Sequence, residues 1–416
     1  MGSIPPIVKV HTYSTGRNRS GMLRDMLPSL TPGHDNLRGD AEDDWPILLS
    51  IGIMAWNEED SIPTTLKSLF QQSIFEKLAV RRRRCEIICI ANGCTDRTVE
   101  VARAVFAQME REHPHSEAFS TRVVDIEVPG RNNAWNRFIH EFSSPDTAFI
   151  CLMDADIVFR RCDTIHSLVE TLERDIHAQV SAGRHYKDVF FKKNKSWRDR
   201  LSIATSTMNG TIAGRFSGQL YCLRASVVRN IRLPRDLGAT DDGFLKAIIC
   251  TDFLTREVDA TRIASAPDAE IIFEAYVSFR DVLNNQMRQM IGQTTVHVLL
   301  GYLRTLPAEA RAHLADTVLE HERSDPDWLK KIIGRHIRET RFFWRLFPGL
   351  LTFRFRRLGK LPGLRKITHA PAATAGFLVT LIASWRAFRF LKSGMSQYWP
   401  KASRGALVTA PEMGSH

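Results

Sequence analysis

The chain has 416 residues, 44% of them apolar and 25% charged, so it can bury a large core and is neither disordered nor fibrous. Its formal net charge is +11, from 57 basic and 46 acidic residues. The excess is local: residues 330–404 carry 17 Lys/Arg and one acid, Glu339, which leaves the remainder slightly acidic. The seven cysteines form no CxxC pair, which argues against a zinc site. Cys89 and Cys151 fall inside apolar runs and read as buried reduced thiols, as expected at a cytosolic face.

Residues 1–44 are polar and rich in Gly, Pro, Ser and Arg, with no charged-then-apolar signal pattern. They read as a loosely ordered segment with one short helix near 21–30. The first strong element is an apolar, β-rich run over 45–56 that ends in Asn57, Glu58 and Glu59. A helix over 61–72 follows, with Leu66, Leu69 and Phe70 at helical spacing and Pro63 in its first turn. Arg81–Arg84 reads as a solvated basic loop. A second strand, 85–91, runs into Asn92, Gly93, Cys94, Thr95 and Asp96. Gly93 permits a tight turn, and Thr95 is placed to cap the next helix, whose apolar face is Val99, Ala102, Val105, Phe106 and Met109. A third strand over 123–128 meets Pro129, Gly130 and Arg131, and a helix over 133–142 comes next. Five apolar residues, 149–153, then lead straight into Asp154, Ala155 and Asp156.

Strand and helix thus alternate, and each apolar run ends in a polar cluster. That pattern predicts a mostly parallel sheet wrapped by helices. Ligands of such sheets bind beyond the carboxyl ends of the strands, so Asn57/Glu58, Asn92/Gly93 and Asp154/Asp156 should converge on one crevice. Two carboxylates at a strand end can hold a hard divalent cation, Mg²⁺ or Mn²⁺, and through it phosphates. The Gly-rich dinucleotide fingerprint is missing after the first strand, which argues against a Rossmann dehydrogenase.

From about residue 294 the pattern is helical. Residues 342–357 mix large apolar and basic side chains, a composition suited to an anionic bilayer surface. Residues 367–385 contain no Asp, Glu, Lys or Arg. At helical rise they are just long enough to cross a hydrocarbon core of roughly 30 Å. His369 and Pro371 interrupt the run, so a single span, a surface-bound helix and a helix buried on the catalytic domain all stay open. No zinc-finger, RRM or helix-turn-helix pattern accompanies the basic region, and its apolar residues favour lipid over nucleic acid.

These motifs resemble family 2 glycosyltransferases of the GT-A fold. Residues 50–59, ending in Trp56, Asn57, Glu58 and Glu59, are similar to the family's first strand. Residues 90–96 resemble its Asp-Asp-Gly-Ser-Thr-Asp segment, with Ala91 and Asn92 in place of the acidic pair. Residues 129–136 are similar to its Gly-Lys-x-x-Ala-x-Asn segment, and Asp154-Ala155-Asp156 is its Asp-x-Asp motif. Residues 217–224 resemble the Gly-rich acceptor-side stretch, and 237–245, with Asp241 and Asp242, the motif that supplies the catalytic base. Residues 285–292 are a degenerate Gln-x-x-Arg-Trp-x-x-Gly match that keeps Arg288. Tyr398, Trp399, Pro400 and Arg404 weakly resemble the tail of membrane-linked members.

The resemblance implies a GT-A catalytic domain over 45–293, followed by a helical basic region, 294–416, with an interfacial or single-span membrane segment at about 342–392. It implies inverting transfer of a sugar from a nucleotide diphosphate sugar to a hydroxyl of a lipid or envelope glycan. Asp242 is the expected base, with Asp241 as the fallback. Asp154 and Asp156 would hold the metal. Ala55, Trp56, Glu58, Asn92, Arg131, Asp154 and Arg288 would bind the nucleotide sugar. The protein is expected on the cytoplasmic face of a membrane. A processive polysaccharide synthase and a catalytically silent nucleotide-sugar-binding protein are the alternatives.

Overall fold

Eight strands form one sheet: β1 (Ile47–Ala55), β2 (Arg84–Asn92), β3 (Phe119–Ile126), β4 (Phe149–Asp154), β5 (Ile157–Phe159), β6 (Val180–Lys187), β7 (Leu220–Arg224) and β8 (Ile263–Phe273). Their order is β3-β2-β1-β4-β7-β6-β8-β5. The first four run parallel, β7 is antiparallel to both β4 and β6, and β8 is parallel to β6 and antiparallel to β5. The computed structural model describes residues 45–192, 194–195, 217–238, 240–274, 278–340, 342–359 and 363–394. The expected helix near 21–30, the segment 1–44 and the tail at Tyr398–Arg404 lie outside the described residues.

Helices α1 (Ile62–Phe70), α2 (Ile74–Val80), α3 (Thr98–Glu112), α4 (Arg131–Arg137) and α5 (Thr164–Arg174) connect or flank the strands. After β7 come α6 (Ala225–Val228) and α7 (Asp241–Cys250). Beyond β8 the chain is helical: α8 (Phe279–Leu303), α9 (Ala308–Ala312), α10 (Leu314–Ser324), α11 (Trp328–Glu339), α12 (Phe343–Leu346), α13 (Pro348–Gly359) and α14 (Gly363–Lys392). This is the mixed, mostly parallel sheet between helices that the sequence predicted, with a C-terminal helical region.

The apolar runs are continuous because the inner strands are covered on both faces. Neighbouring residues of one strand enter different cores. Ile87, Cys89, Cys151 and Met153 pack with α1, α2, α3 and α5. Ile88, Ile90, Ile150 and Leu152 pack with Trp135, Phe138 and the α7–α8 region. The second core extends through Met290, Ile291 and Leu299 of α8 to Ala383, Ala387 and Leu391 of α14.

Register brings the carboxyl ends together: Met54 pairs with both Ile90 and Asp154, and Asn92 pairs with Ile126. Gly93 makes the turn after β2 at φ +65°, and its N–H donates to the Ile126 carbonyl at 2.7 Å. A Cβ there would lie 2.7 Å from the Pro129 side chain.

Several expectations are corrected. The helix over 61–72 is shorter, and a second, α2, follows it after a break at 71–73. Thr95 does not cap α3, which begins at Thr98. The Asp96 carboxylate accepts from the Thr98 N–H (3.0 Å) instead, and the Thr95 N–H donates to Asn57 Oδ1 (2.7 Å). Strand β3 begins at Phe119, ahead of residue 123. Arg81–Arg84 is not one loop: Arg84 opens β2, and Arg81 pairs with Glu173 at 2.6 Å. The single-span reading of 367–385 also falls. Among the described residues no helix is long and apolar enough to cross a membrane. Instead, α14 docks lengthwise on α8.

The turn at Gly93 gives the first prediction. Gly93→Ala adds both backbone strain and a clash, and should cost about 1–3 kcal/mol in a denaturant titration. An unchanged midpoint would show that β2 and β3 tolerate separation at this turn.

Candidate active site

Asn57, two residues beyond the end of β1, adopts φ +56°, and its side chain and backbone tie the end of β1 to the turn after β2. Its backbone N–H donates to Cys94 Sγ at 3.4 Å, while its side-chain Oδ1 accepts from the Thr95 N–H. Ala55 is buried at the end of β1 and Trp56 is half-buried just beyond it. Glu58 is buried four residues ahead of α1, and its backbone carbonyl accepts from the N–H groups of Ser61 and Ile62. Its N–H donates to Thr98 Oγ1 (2.8 Å), and its carboxylate accepts from the Ser61 hydroxyl (2.5 Å). Glu58 therefore helps start a helix. Asn92 Oδ1 accepts from the Gly130 N–H at 2.9 Å, which fixes the loop entering α4.

That loop delivers Arg131, and Arg131 joins the site together. Its Nη1 donates to Asp154 Oδ1 at 2.7 Å, its Nη2 to the Gly218 carbonyl at 2.8 Å, and its Nε to Asp241 Oδ2 at 3.4 Å. The side chains of Arg131 and Asp154 are each 20% exposed, and that of Asp241 only 5%. Burial opposes the charge on Arg131, but Asp154 and Asp241 outweigh it and hold the guanidinium well above its ordinary pKa. Burial pushes Asp154 up to about 6. Arg131 pulls the other way, and the nearby charge of Asp156 adds to the rise.

Asp241 and Asp242 occupy the first turn of α7, where the helix dipole favours negative charge. Asp242 Oδ1 accepts from the Gly243 N–H at 2.7 Å. Burial, and then the charge of Asp241, raise Asp242 to about 6, while Arg131 and Arg288 act in the opposite direction. Arg288, on α8, donates to Asn285 Oδ1 at 3.0 Å. The loop before α7 is pressed onto α8 so closely that a Cβ on Gly292 would lie 2.3 Å from the Thr240 side chain. The structure therefore assembles Arg131, Asp154, Asp156, Asp241, Asp242 and Arg288 into one electrostatic cluster.

Sequence reasoning gave no role to Tyr221. Its hydroxyl is buried, accepts from Trp135 Nε1 at 3.1 Å, and lies within the field of Asp241, Arg131 and Asp154. Burial and Asp241 raise its pKa well above the ordinary value, so it stays a neutral phenol under the cluster. Its place in the 217–224 motif was the only available signal.

Asp154 and Asp156 supply hard oxygen donors whose mutual repulsion and burial a cation would relieve. Among the described residues no group of three or more His, Cys, Asp or Glu side chains could hold a metal. A two-carboxylate set fits Mg²⁺ or Mn²⁺, which keeps waters and takes substrate phosphates as further ligands.

A sequence profile described as "Glycosyl transferase family 2" matches residues 50–227. Those residues form a family 2 glycosyltransferase domain. Arg131, Asp154, Asp156 and the strand-end residues lie within the matched region; Asp241, Asp242 and Arg288 lie beyond it. No curated protein matches the chain. Among solved structures, it is similar to S. aureus TarS residues 1–349 (TM-score 0.43, 13% identity), over 84% of this chain and 92% of that one. It is also similar to M. tuberculosis glucosyl-3-phosphoglycerate synthase in complex with Mn²⁺, UDP-glucose and phosphoglyceric acid. That likeness has a TM-score of 0.40 and 15% identity, and covers 64% of this chain and 82% of that one.

Removing the Arg131 guanidinium leaves two mostly buried carboxylates without their shared partner. Arg131→Met should destabilise the fold by about 3 kcal/mol at neutral pH. The folded-state carboxylates would then bind protons more tightly than the unfolded ones, so the deficit should shrink as pH falls from 7 toward 4. Melting temperatures of both proteins across that range test this, and a pH-independent deficit would contradict it.

Proposed function

We propose that the protein transfers a sugar, with inversion, from a nucleotide diphosphate sugar to a hydroxyl of a lipid or envelope glycan. The observation that carries this reading is the Arg131 bridge, which sets the Asp-x-Asp carboxylates and the α7 carboxylates into one site. A new bond forms between the acceptor oxygen and the anomeric carbon as the bond from that carbon to the diphosphate breaks. The diphosphate leaves with the electron pair. Asp242 takes the acceptor proton. It is more exposed than Asp241, which is held by Arg131, and its pKa near 6 leaves it ionised yet basic at neutral pH. Arg131 and Arg288 offer positive charge to the departing diphosphate. Asp154 and Asp156 would hold Mg²⁺ or Mn²⁺, which supplies countercharge to the diphosphate when bound.

Trp56 offers a face for the nucleobase, with Ala55 leaving room beside the backbone. Asn92 keeps its amide nitrogen as a donor toward a base edge, since its carbonyl serves Gly130. Glu58 contributes mainly by fixing the start of α1. The acceptor is taken to be presented at the cytoplasmic face of a membrane. That placement is supported by the free thiols of Cys85, Cys89, Cys151 and Cys222 in the core and by the acid-free, basic stretch 341–394.

Asp242→Asn should bind donor as the wild type does while transfer falls by about 10²–10⁴-fold. Because the base must be ionised, wild-type turnover should decline as pH drops through about 6. Steady-state transfer assays from pH 5 to 8 test both points. Unchanged turnover in Asp242→Asn would remove it as the base. Asp156→Ala or chelation by EDTA should abolish transfer, and full activity with EDTA would remove the metal role.

A further inference from the structure

We propose that the outer face of α14, the helix packed on α8, is a docking surface for an anionic lipid bilayer. This deepens the membrane placement proposed above and rests on it. Helix α14 has two unlike long faces. Thr380, Ala383, Ser384, Ala387 and Leu391 are buried. Thr380 Oγ1 lies 3.4 Å from Gln286 Oε1, and Ser384 Oγ lies 3.2 Å from Met290 Sδ, both on α8. These mostly small residues let the two helices approach closely. The opposite stripe, Leu378, Ile382 and Trp385, is 48–52% exposed, at spacings of four and three residues.

The stripe runs into cations. Exposed Arg389 lies over the Trp385 ring at 5.0 Å, and exposed Lys392 follows three residues on. Trp beside Arg and Lys at the edge of an apolar stripe is the arrangement that seats a helix at a lipid headgroup boundary. Residues 341–394 contain eleven Lys/Arg and no Asp or Glu, so the charge complements an anionic leaflet. Phe342, Trp344 and Phe355, on or beside helices that pack against α14, are 43–49% exposed. Among the described residues, all the large exposed aromatic side chains fall between 342 and 385. A nucleic acid would use the cations but not the apolar stripe.

The arrangement links this face to the chemistry. Gln286 and Met290, one helical turn apart, contact α14. Arg288 and Gly292 are each two residues on, about 200° around the helix; Gly292 lies against Thr240, beside the α7 carboxylates, and the charge of Arg288 acts on Asp242. Helix α8 thus packs on one side against α14, whose outer face is the bilayer surface, and on the other against the loop that enters α7.

Flotation of the full chain with vesicles tests the proposal and needs no donor, so its outcome is separate from that of the glycosyl-transfer reading. The wild type should float with phosphatidylglycerol/phosphatidylcholine vesicles and at least tenfold less with phosphatidylcholine alone. A Leu378→Ser/Ile382→Ser/Trp385→Ser variant with an unchanged melting temperature should lose at least tenfold of the binding. Arg389→Glu/Lys392→Glu, which keeps the apolar stripe, should lose the anionic preference. A wild type that stays at the bottom of the gradient, or an intact triple variant that floats as well as the wild type, would overturn it. So would a variant whose only change is lost self-association or lost RNA binding.

Discussion

The site depends on one buried guanidinium. Arg131 holds carboxylates delivered by two distant parts of the chain and a carbonyl from a third, Gly218. A buried ion pair contributes little net stability, because desolvating the charges costs nearly what their attraction returns. Its consequence here is positional. Asp241 cannot leave the end of α7, nor Asp154 the end of β4, without leaving a charge unmatched in a low dielectric. The base-bearing helix and the Asp-x-Asp strand end are thereby registered to each other, although only one of them lies in the region shared with the family profile.

Packing gives the same registration. Gly292 admits Thr240 against α8, and Tyr221 and Trp135 close the floor under Arg131 with a neutral hydrogen bond. Because α8 also carries the contact with α14, a single helix supports both the α7 carboxylates and the C-terminal region. That helix is continuous from residue 279 to 303, so the core passes without a break from the sheet into the basic region.

Much of this was legible in the sequence. Strands β1, β2 and β4 were readable because sheet interiors covered on both faces require unbroken apolar runs. Strand β3 was readable only at its end. It lies at the sheet edge, and Ser120 and Arg122 are exposed, so its first half has no apolar run. Helix α2 was missed because seven residues are too few to establish a helical period. Arg131, Asp154, Asp156, Asp241 and Asp242 could each be singled out by motif. The bridge among them could not, since Arg131 reaches partners 23 and 110 residues away. Glu58 shows the opposite limit: a helix-start acid and a ligand-binding acid look alike in sequence, and here the side chain accepts from Ser61. The run at 367–385 suggested a span because composition does not reveal which face another helix will cover.

The central claim is that the Arg131 cluster is a nucleotide diphosphate sugar site. Calorimetric titration of the intact protein with a panel of UDP-, GDP-, TDP-, ADP- and CDP-sugars, with and without Mn²⁺, tests it most directly. The account predicts that sugars on one base bind in the presence of Mn²⁺, and that this binding is lost on chelation and in Asp154→Ala. Failure of every nucleotide sugar to bind the folded protein, or binding that ignores both the metal and Asp154, would contradict it.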